Sequence, residues 1–199
     1  MLTTLYLMRH AQTQWNIEHR AQGQADSPLT PLGEQQAIAA GEYMRSIAID
    51  QVVCSPLGRT RRTLELALAG REIATDFDEA WMEIDFGHWE GKTFDEIGQD
   101  DPDCRAYFDA PHTFDVPGIE SPNDCRARMV AAFQSTVLAH AHQTVWVVSH
   151  GAALRQLVTY LQGLSVAQSW DVSVIANCQI IKVNVHDGGY ALDTVFVPD

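Results

Sequence analysis

The sequence predicts an α/β protein, a three-layer α/β/α sandwich around a mostly parallel mixed sheet with an antiparallel edge strand. Short apolar runs alternate along the chain with longer segments of helical spacing, the pattern of a parallel sheet covered by helices. The runs at 5–8 and 145–148 are continuously apolar, as expected of strands buried on both faces. Two C-terminal strands, at about 176–186 and 190–197, are joined across Asp187-Gly188-Gly189, a turn signal typical of an antiparallel pair.

Local signals define the elements of the first eighty or so residues. Thr30 can cap a helix and Pro31 suits its first position, so a helix is expected to start there. The predicted elements are, in order, a strand at 5–10, a polar loop, a helix from Thr30-Pro31 to near Ile47, a strand at 50–54, a helix from Ser55-Pro56 to about 70, and a short strand at 73–77.

The second half of the chain begins with an irregular segment, residues 81–126, that holds four of the eight prolines and many aromatic residues. Thr93-Phe94-Asp95-Glu96 is a capping box and predicts a short helix within it. The later elements are a helix from Ser121-Pro122 with Met129, Val130, Phe133 and Val137 on its buried face, a strand at 144–149, and a helix at about 151–162 stopped by Gly163. We expect a single domain, residues 1–199, with a cap-like insertion at about 81–126 over one end of the sheet.

Composition restricts the partners and the compartment. A formal net charge of −13 disfavours nucleic acid and anionic membranes, because both are bound by clustered Lys and Arg. No apolar run approaches the ~18 residues of a membrane span, and the N-terminus has no secretory signal. The four cysteines form no CxxC pair, so reduced thiols in a cytoplasmic protein are expected rather than a metal site. Composition does not indicate the oligomeric state.

Two predicted strands end in histidine. Arg9-His10 follows the first strand and His150-Gly151 follows the strand at 144–149. Arg59 lies in the first turn of the helix after a third strand, where free N–H groups and the helix dipole favour an anion. An isolated Arg-His pair is usually structural, but these residues share one sheet edge, where α/β folds place their ligands. Together they can hold a phosphoryl group and attack it.

Glu83 is a candidate proton donor. It lies among Trp81, Met82 and Ile84, and apolar surroundings would keep its proton available near neutral pH. The alternative, an exposed glutamate before a loop, is equally compatible with the local sequence.

The chain resembles the histidine phosphatase superfamily, in the branch with phosphoglycerate mutases, fructose-2,6-bisphosphatase and α-ribazole phosphatase. Six blocks carry the resemblance in order over most of the chain: Leu7–Asn16 (LMRHAQTQWN), Gln22–Thr30 with Gly33, Gln36 and Ala37, Ser55–Thr60 with Thr63, Glu83 with Phe86–Gly91, Pro117–Ser121 with Asp124 and Arg128, and Val148–Gly151.

The resemblance implies a role for each site residue. His10 would be the nucleophile that forms a phosphohistidine, and Glu83 would protonate the leaving alcohol. Arg9, Arg59 and a protonated His150 would hold the phosphoryl oxygens. Four further residues would line the phosphate pocket: Asn16, Gln22, Gly23 and Gly151. No metal and no cofactor is implied, because the arginines supply the charge that Mg²⁺ supplies elsewhere.

Three positions depart from the family pattern. Ala11 and Ile119 stand where glycine is usual, and Gln12 replaces a more common glutamate. The methyl group of Ala11 would narrow the pocket and disfavour a positive φ. None of the three departures removes a reacting group.

The expected function is hydrolysis of a small phosphorylated metabolite. A phosphoglycerate mutase-type phosphotransferase is the alternative within the family; mutases tend to carry a longer insertion between the acid and the second histidine than the 66 residues at 84–149. A non-catalytic phospho-ligand binding module is the alternative of another class, which the presence of both His10 and Glu83 disfavours. Substrate specificity is expected from residues 81–126, and Arg105, Arg126 or Arg128 is a candidate for a second anionic group.

Overall fold

The apolar runs form the centre of a six-stranded sheet. The computed structural model describes residues 2–186 and 189–198, and the strands are β1 Thr3–Arg9, β2 Gln51–Cys54, β3 Thr75–Phe77, β4 Thr144–Ser149, β5 Ile180–His186 and β6 Gly189–Phe196. Their order is β3-β2-β4-β1-β5-β6. Neighbours from β3 to β1 are parallel, and β5 pairs antiparallel with both β1 and β6. The predicted mixed sheet with an antiparallel edge is confirmed.

Helices cover both faces of the sheet. They are α1 Gln14–Ile17, α2 Pro31–Met44, α3 Gly58–Leu68, α4 Phe94–Asp100, α5 Asp103–Asp109, α6 Pro122–Ala139 and α7 Gly151–Leu161. In β1, Leu5 and Leu7 pack in a core with residues of α6 and α7, whereas Tyr6 and Met8 pack in a second core with residues of α2 and α3. Alternate side chains of a strand point to opposite faces, so this division confirms the three-layer sandwich.

The predicted helix starts are confirmed by their caps. The Thr30 hydroxyl accepts a hydrogen bond from Gly33 N at 2.9 Å, with Pro31 in the first turn of α2. Ser121 caps α6 in the same way, and Thr93 with Glu96 forms the capping box of α4.

Several details differ from the prediction. A short helix, α1, occupies part of the predicted polar loop. Helix α3 starts at Gly58 rather than Ser55, and its start is stabilised by Asp26, whose carboxylate accepts hydrogen bonds from Gly58 N and Arg59 N. Strand β5 starts at Ile180 rather than 176, because Cys178 has a left-handed φ of +54° and donates its N–H to Arg9 O. The predicted turn residues 187 and 188 lie outside the described residues.

Residues 81–126 contribute side chains to a pocket that Arg9 and His10 also line. Alongside α4 and α5, this part of the chain contains 3₁₀ turns at Gly87–Trp89 and Pro111–Thr113, and a further 3₁₀ turn, Glu79–Trp81, leads into it. Trp89, Tyr107 and Phe114 are buried and contact one another edge-on or tilted, forming an aromatic core within the segment. All four cysteines are free and buried. In the described part of the chain, no helix has the length and apolar character needed to cross a bilayer.

Candidate active site

The register of the sheet brings the two strand-end histidines together. Arg9 and Ser149 are paired across the parallel strands β1 and β4, so His10 and His150 leave the sheet side by side. The His10 N–H donates to Ser149 O at 2.9 Å, which extends the ladder by one residue. The ring centroids lie 5.3 Å apart, with 58° between the ring planes. The two rings therefore face one small volume, as the sequence predicts.

The His10 ring is held in one tautomer. Its Nδ1 lies 2.8 Å from Ala11 O, and a carbonyl oxygen can only accept, so Nδ1 carries the proton. Nε2 has no hydrogen-bond partner among the described residues and keeps its lone pair. Burial lowers the pKa of His10 well below its usual value, and Arg59 and Arg9 lower it further. The ring is therefore neutral at neutral pH, which is the form that acts as a nucleophile.

Arg59 is locked in place from the loop after α1. Its Nη1 donates to Ala25 O at 2.7 Å and Asp26 Oδ1 at 2.9 Å, and its Nη2 donates to Gly23 O at 2.6 Å. Burial lowers the pKa of Arg59, and the nearby carboxylates of Glu83 and Asp26 partly offset this decrease. The guanidinium is positioned by fixed partners, so it needs little reorganisation to bind an anion.

Arg9 is the last residue of β1, and its side chain is held by the segment that precedes β5. Its Nη1 donates to Ile175 O at 2.8 Å. Burial lowers the pKa of Arg9 to about 10, which still leaves it charged at neutral pH. The Nε atoms of Arg9 and Arg59 are both buried and lack a hydrogen-bond partner within the described residues. Each retains a donor that an oxyanion can satisfy.

His150 is oriented by Ser55, a residue that the sequence analysis placed in a motif but gave no role. The His150 Nε2 lies 2.7 Å from Ser55 Oγ, and Nδ1 is buried without a partner in the described chain. Burial, and after it the charge of Arg59, lowers the pKa of His150 well below its usual value. The expected protonated His150 is therefore neutral in the free protein. It can still donate one hydrogen bond from Nδ1 when the Ser55 hydroxyl donates to Nε2.

Glu83 reaches the same place from the segment after β3. Its Oε1 accepts from Ile84 N at 3.0 Å and Ala153 N at 2.7 Å, and its Oε2 accepts from Ala152 N at 3.1 Å. The expectation of purely apolar surroundings is wrong, because the carboxyl group sits on backbone N–H groups at the start of α7. The alternative of an exposed glutamate is also wrong, since Glu83 is only 7% exposed.

The four predicted pocket residues line one cavity with His10. The Gln22 Oε1 accepts from Thr13 Oγ1 at 3.0 Å, and the Asn16 Oδ1 accepts from Thr13 N and Asn177 Nδ2, each at 3.1 Å. These bonds occupy the oxygens, which leaves the amide N–H₂ groups as the remaining donors.

Glycine is required at positions 151 and 23 because atoms of neighbouring side chains lie close to where a Cβ would be. A Cβ at Gly151 would lie 3.0 Å from Arg9 Nε, so the glycine lets the guanidinium pack against the start of α7. Gly23 has a left-handed φ of +53°, and a Cβ there would overlap Glu90 Oε1. Both glycines therefore help to position an arginine of the site.

The pocket around these residues measures about 240 Å³, and five residues of its wall are Phe, Tyr or Trp. Besides the predicted residues it is lined by Arg20, Ala21, Phe86, Phe94, Tyr107, Phe108, Ala152, Arg155, Trp170, Val174 and Ile175. Four aromatic residues of the 81–126 segment line the pocket, whereas Trp81 and Trp89 are buried and do not line it. Within residues 2–186 and 189–198, no group of three His, Cys, Asp or Glu residues could hold a metal ion.

The arginines expected to bind a second anion do not line this pocket. Arg105 pairs with Asp109 on the surface, Arg126 donates to Leu164 O, and Arg128 pairs with Glu120. Arg20 and Arg155 line it instead. Arg155 could have been found from sequence, because it lies four residues after Gly151 and therefore on the same face of a helix.

Comparison with known proteins decides the family. The family model "Histidine phosphatase superfamily (branch 1)" matches residues 5–198. The chain belongs to the histidine phosphatase superfamily. It is 35% identical to "Probable phosphoglycerate mutase GpmB" of Salmonella choleraesuis over 92% of this chain and 85% of the relative.

Solved histidine phosphatase structures show the same fold. "Bacillus stearothermophilus YhfR" superposes with a TM-score of 0.93 at 35% identity, covering 97% of this chain and 96% of that chain. A putative alpha-ribazole-5'-P phosphatase from Escherichia coli superposes with a TM-score of 0.87 at 25% identity, covering 96% and 95%. The predicted resemblance to the mutase-like branch is confirmed.

None of the three departures from the histidine phosphatase pattern lines the pocket, and Ile119 is buried in the core that includes residues of α6 and α7. Ala11 is buried in the core beside α2 and α3, its φ lies outside the left-handed region, and its N–H donates to Thr63 Oγ1. The expected narrowing is therefore wrong. Gln12 accepts a hydrogen bond from Thr30 Oγ1 at 2.8 Å and so faces the start of α2.

Proposed function

We propose that this protein is a phosphatase that hydrolyses a small phosphorylated metabolite through a phosphohistidine on His10. One observation carries the proposal. His10 lines a pocket together with Arg9 and Arg59, and the His150 ring lies next to it with its centroid 5.3 Å from that of His10. Three buried nitrogen atoms around His10 have no partner among the described residues, namely Arg9 Nε, Arg59 Nε and His150 Nδ1. A tetrahedral phosphoryl group offers oxygens to satisfy all three.

The first half-reaction is attack of His10 Nε2 on phosphorus. The N–P bond forms as the bond from phosphorus to the ester oxygen breaks, and Glu83 gives its proton to that oxygen. The proton remains on Nδ1, which donates a hydrogen bond to Ala11 O, so the charge that develops on the imidazole is stabilised by a fixed acceptor. Positioned donors at the phosphoryl oxygens contribute most of the stabilisation, and loss of one costs about 10²–10³ in rate.

In the second half-reaction water replaces the alcohol. Glu83 takes a proton from water as the oxygen attacks phosphorus, the N–P bond breaks, and His10 regains its lone pair. Glu83 Oε2 accepts one backbone hydrogen bond and keeps a second lone pair for this proton. Each proton transfer contributes about 10²–10⁴ in rate.

The compartment and the organisation of the chain belong to the same proposal. Four free, buried thiols favour a reducing compartment such as the cytoplasm. Residues 1–199 act as one domain, with the 81–126 segment as a cap that supplies part of the pocket wall.

Hydrolysis of p-nitrophenyl phosphate in the presence of a chelator tests the proposal. We expect turnover that His10→Ala abolishes and that the chelator does not reduce. His112→Ala is the matched control, because His112 is exposed and does not line the pocket. Phosphate binding without turnover by the unmodified protein would favour a binding module instead.

A mutase is the second candidate, favoured by 35% identity to the protein named probable phosphoglycerate mutase. The 66 residues at 84–149 leave little room for the longer insertion typical of mutases, which favours hydrolysis. Incubation with 3-phosphoglycerate and a 2,3-bisphosphoglycerate primer separates the two. Isomerisation without release of inorganic phosphate would show a mutase.

A further inference from the structure

Arg155 is a cation in the pocket without a counter-ion. It lies on α7, one turn after Gly151, and is half-buried. Its guanidinium makes no hydrogen bond and no ion pair with the residues that the structure describes. Arg20, by contrast, donates to Glu18 Oε2 at 2.6 Å and Gly91 O at 2.7 Å, and Arg59 pairs with Asp26.

An aromatic ring holds the Arg155 side chain in position. The Arg155 Cζ lies 4.7 Å from the centroid of the Trp170 ring, and the Trp170 indole N–H donates to Tyr107 O at 3.3 Å. A cation–π contact uses the face of a guanidinium, whereas its N–H donors point outward in the guanidinium plane. The planar fork is therefore ordered before any ligand binds, which lowers the entropic cost of binding a carboxylate.

No side chain in the described part of the chain forms an ion pair with this cation. Burial lowers the pKa of Arg155, and Tyr107 and, after it, Glu83 partly offset this decrease, but both oxygens of Glu83 are held by backbone N–H groups at the start of α7. The charge of Arg155 in turn lowers the pKa of Arg9. A second anionic group on the substrate would relieve this repulsion.

The wall next to Arg155 selects for an apolar body. Phe86, Phe94 and Phe108 from the 81–126 segment line the same pocket as Trp170, Val174 and Ile175, and the Phe108 and Trp170 rings are in contact. A small polar ester would leave these surfaces in water, whereas an aromatic or aliphatic body buries them at about 25 cal/mol for each Å².

We propose that Arg155 determines specificity by pairing with a carboxylate of the substrate, so that the substrate class is the phosphomonoester of an apolar or aromatic hydroxy acid. The inference rests on the proposed phosphatase function. In this arrangement Arg9 and Arg59 hold the phosphoryl group of the substrate, the aromatic wall packs against its apolar body, and Arg155 binds its carboxylate.

Carboxybenzyl phosphates test the proposal directly. The 2-, 3- and 4-carboxybenzyl phosphates are compared with their carboxamides, which have nearly the same shape but no charge, and with benzyl phosphate. For at least one isomer we expect the unmodified protein to prefer the acid over the amide by about 10- to 100-fold in kcat/KM, the range of a charge-assisted hydrogen bond. We expect the preference to lie mainly in KM.

Variants assign the preference to Arg155. In Arg155→Gln the acid-to-amide ratio should fall to near one, and in Arg155→Lys it should be intermediate, because lysine keeps the charge but lacks the planar fork. Arg105→Gln is the control, since Arg105 is exposed outside the pocket. The acid-to-amide ratio is measured within each variant, so a general loss of activity cancels. If Arg155→Gln does not fold, the comparison of Arg155→Lys with the unmodified protein tests the role of Arg155.

The outcomes separate the inference from the function on which it rests. If none of the esters is hydrolysed, including p-nitrophenyl phosphate, the proposed function fails. If benzyl phosphate is hydrolysed but acids and amides react equally, Arg155 does not bind a carboxylate and the inference is overturned. An acid preference that survives in Arg155→Gln overturns it as well, because another residue then reads the charge.

Discussion

Gly23→Ala should destabilise the protein and impair the site together. Gly23 has a φ of +53°, a conformation that costs an alanine about 1–2 kcal/mol. Its new methyl group would overlap Glu90 Oε1. Glu90 cannot simply swing away, because its carboxylate accepts from Gln24 N at 2.7 Å, Ala25 N at 2.9 Å and Phe86 N at 3.2 Å.

The two costs add. Displacing the carboxylate breaks at least one charge-assisted hydrogen bond, worth about 1.5–3 kcal/mol, so the total is about 2.5–5 kcal/mol. Because Gly23 O accepts from Arg59 Nη2 at 2.6 Å, a shift of this loop also moves a predicted phosphate ligand. We therefore expect kcat/KM for p-nitrophenyl phosphate to fall by at least about tenfold.

Urea denaturation measures the free energy of unfolding. Gly70→Ala is the matched control, because Gly70 has a φ of +80° but no atom within 4 Å of the added Cβ, so it carries only the backbone cost. In the Glu90→Ala background, the cost of Gly23→Ala should fall to the same backbone value. Equal costs for Gly23→Ala and Gly70→Ala in the unmodified background would refute the reasoning.

Three further predictions concern the charges and hydrogen bonds of the site. Folding lowers the pKa values of His10 and His150, so the free energy of unfolding should be highest above about pH 6.5 and should fall as the pH decreases, by up to about 1.4 kcal/mol per pH unit for each histidine. Urea denaturation from pH 8 to 5 measures this pH dependence. If His150→Asn leaves the slope of the free energy against pH unchanged, the prediction is contradicted. Ser55→Ala removes the hydrogen-bond partner of His150 Nε2 and should lower kcat by about 2- to 10-fold with little change in KM. Steady-state kinetics measure both constants, and an unchanged kcat would exclude a role for Ser55 in positioning His150. Asp26→Ala removes the N-terminal cap of α3 and the ion-pair partner of Arg59, so it should lower the free energy of unfolding, measured by urea denaturation, by about 1–3 kcal/mol. The control Asp95→Ala, at an exposed position of α4, should lower it by less than about 0.5 kcal/mol. Equal losses in the two variants would argue against the cap.

Local sequence signals were sufficient for the framework of the fold. Continuous apolar runs predicted β1 and β4, and the pairs Thr30-Pro31 and Ser121-Pro122 predicted the starts of α2 and α6. These features depend on neighbouring residues and on periodicity, so they can be read without knowing the tertiary contacts.

Long-range contacts determined what the sequence could not predict. Asp26 stabilises the start of α3 from 32 residues away, and nothing near Leu57 indicates it. The start of β5 depends on the bond from Cys178 N to Arg9 O, which joins opposite ends of the chain.

The candidate site divides in the same way. His10, His150 and Arg59 could be predicted because parallel strands end at one sheet edge, and the register of β1 with β4 fixes their proximity. The hydrogen bonds of Glu83 come from Ala152 and Ala153, about seventy residues further along the chain, so the local apolar residues gave the wrong environment. The spacing of Arg155 from Gly151 places both residues on one helix face, but how Trp170 and the 81–126 segment pack around Arg155 depends on tertiary contacts.

Identification of the phosphorylated residue tests the central claim most directly. The protein is mixed with ³²P-labelled substrate and quenched rapidly in alkali, because alkali preserves phosphohistidine. The quenched protein is then digested for peptide mapping. The Glu83→Gln variant is treated in parallel, because it should hydrolyse the intermediate more slowly. We predict label on the peptide containing His10, lost on treatment with acid and absent in His10→Ala. Label on another residue, or release of phosphate by a fully active His10→Ala protein, would contradict the account.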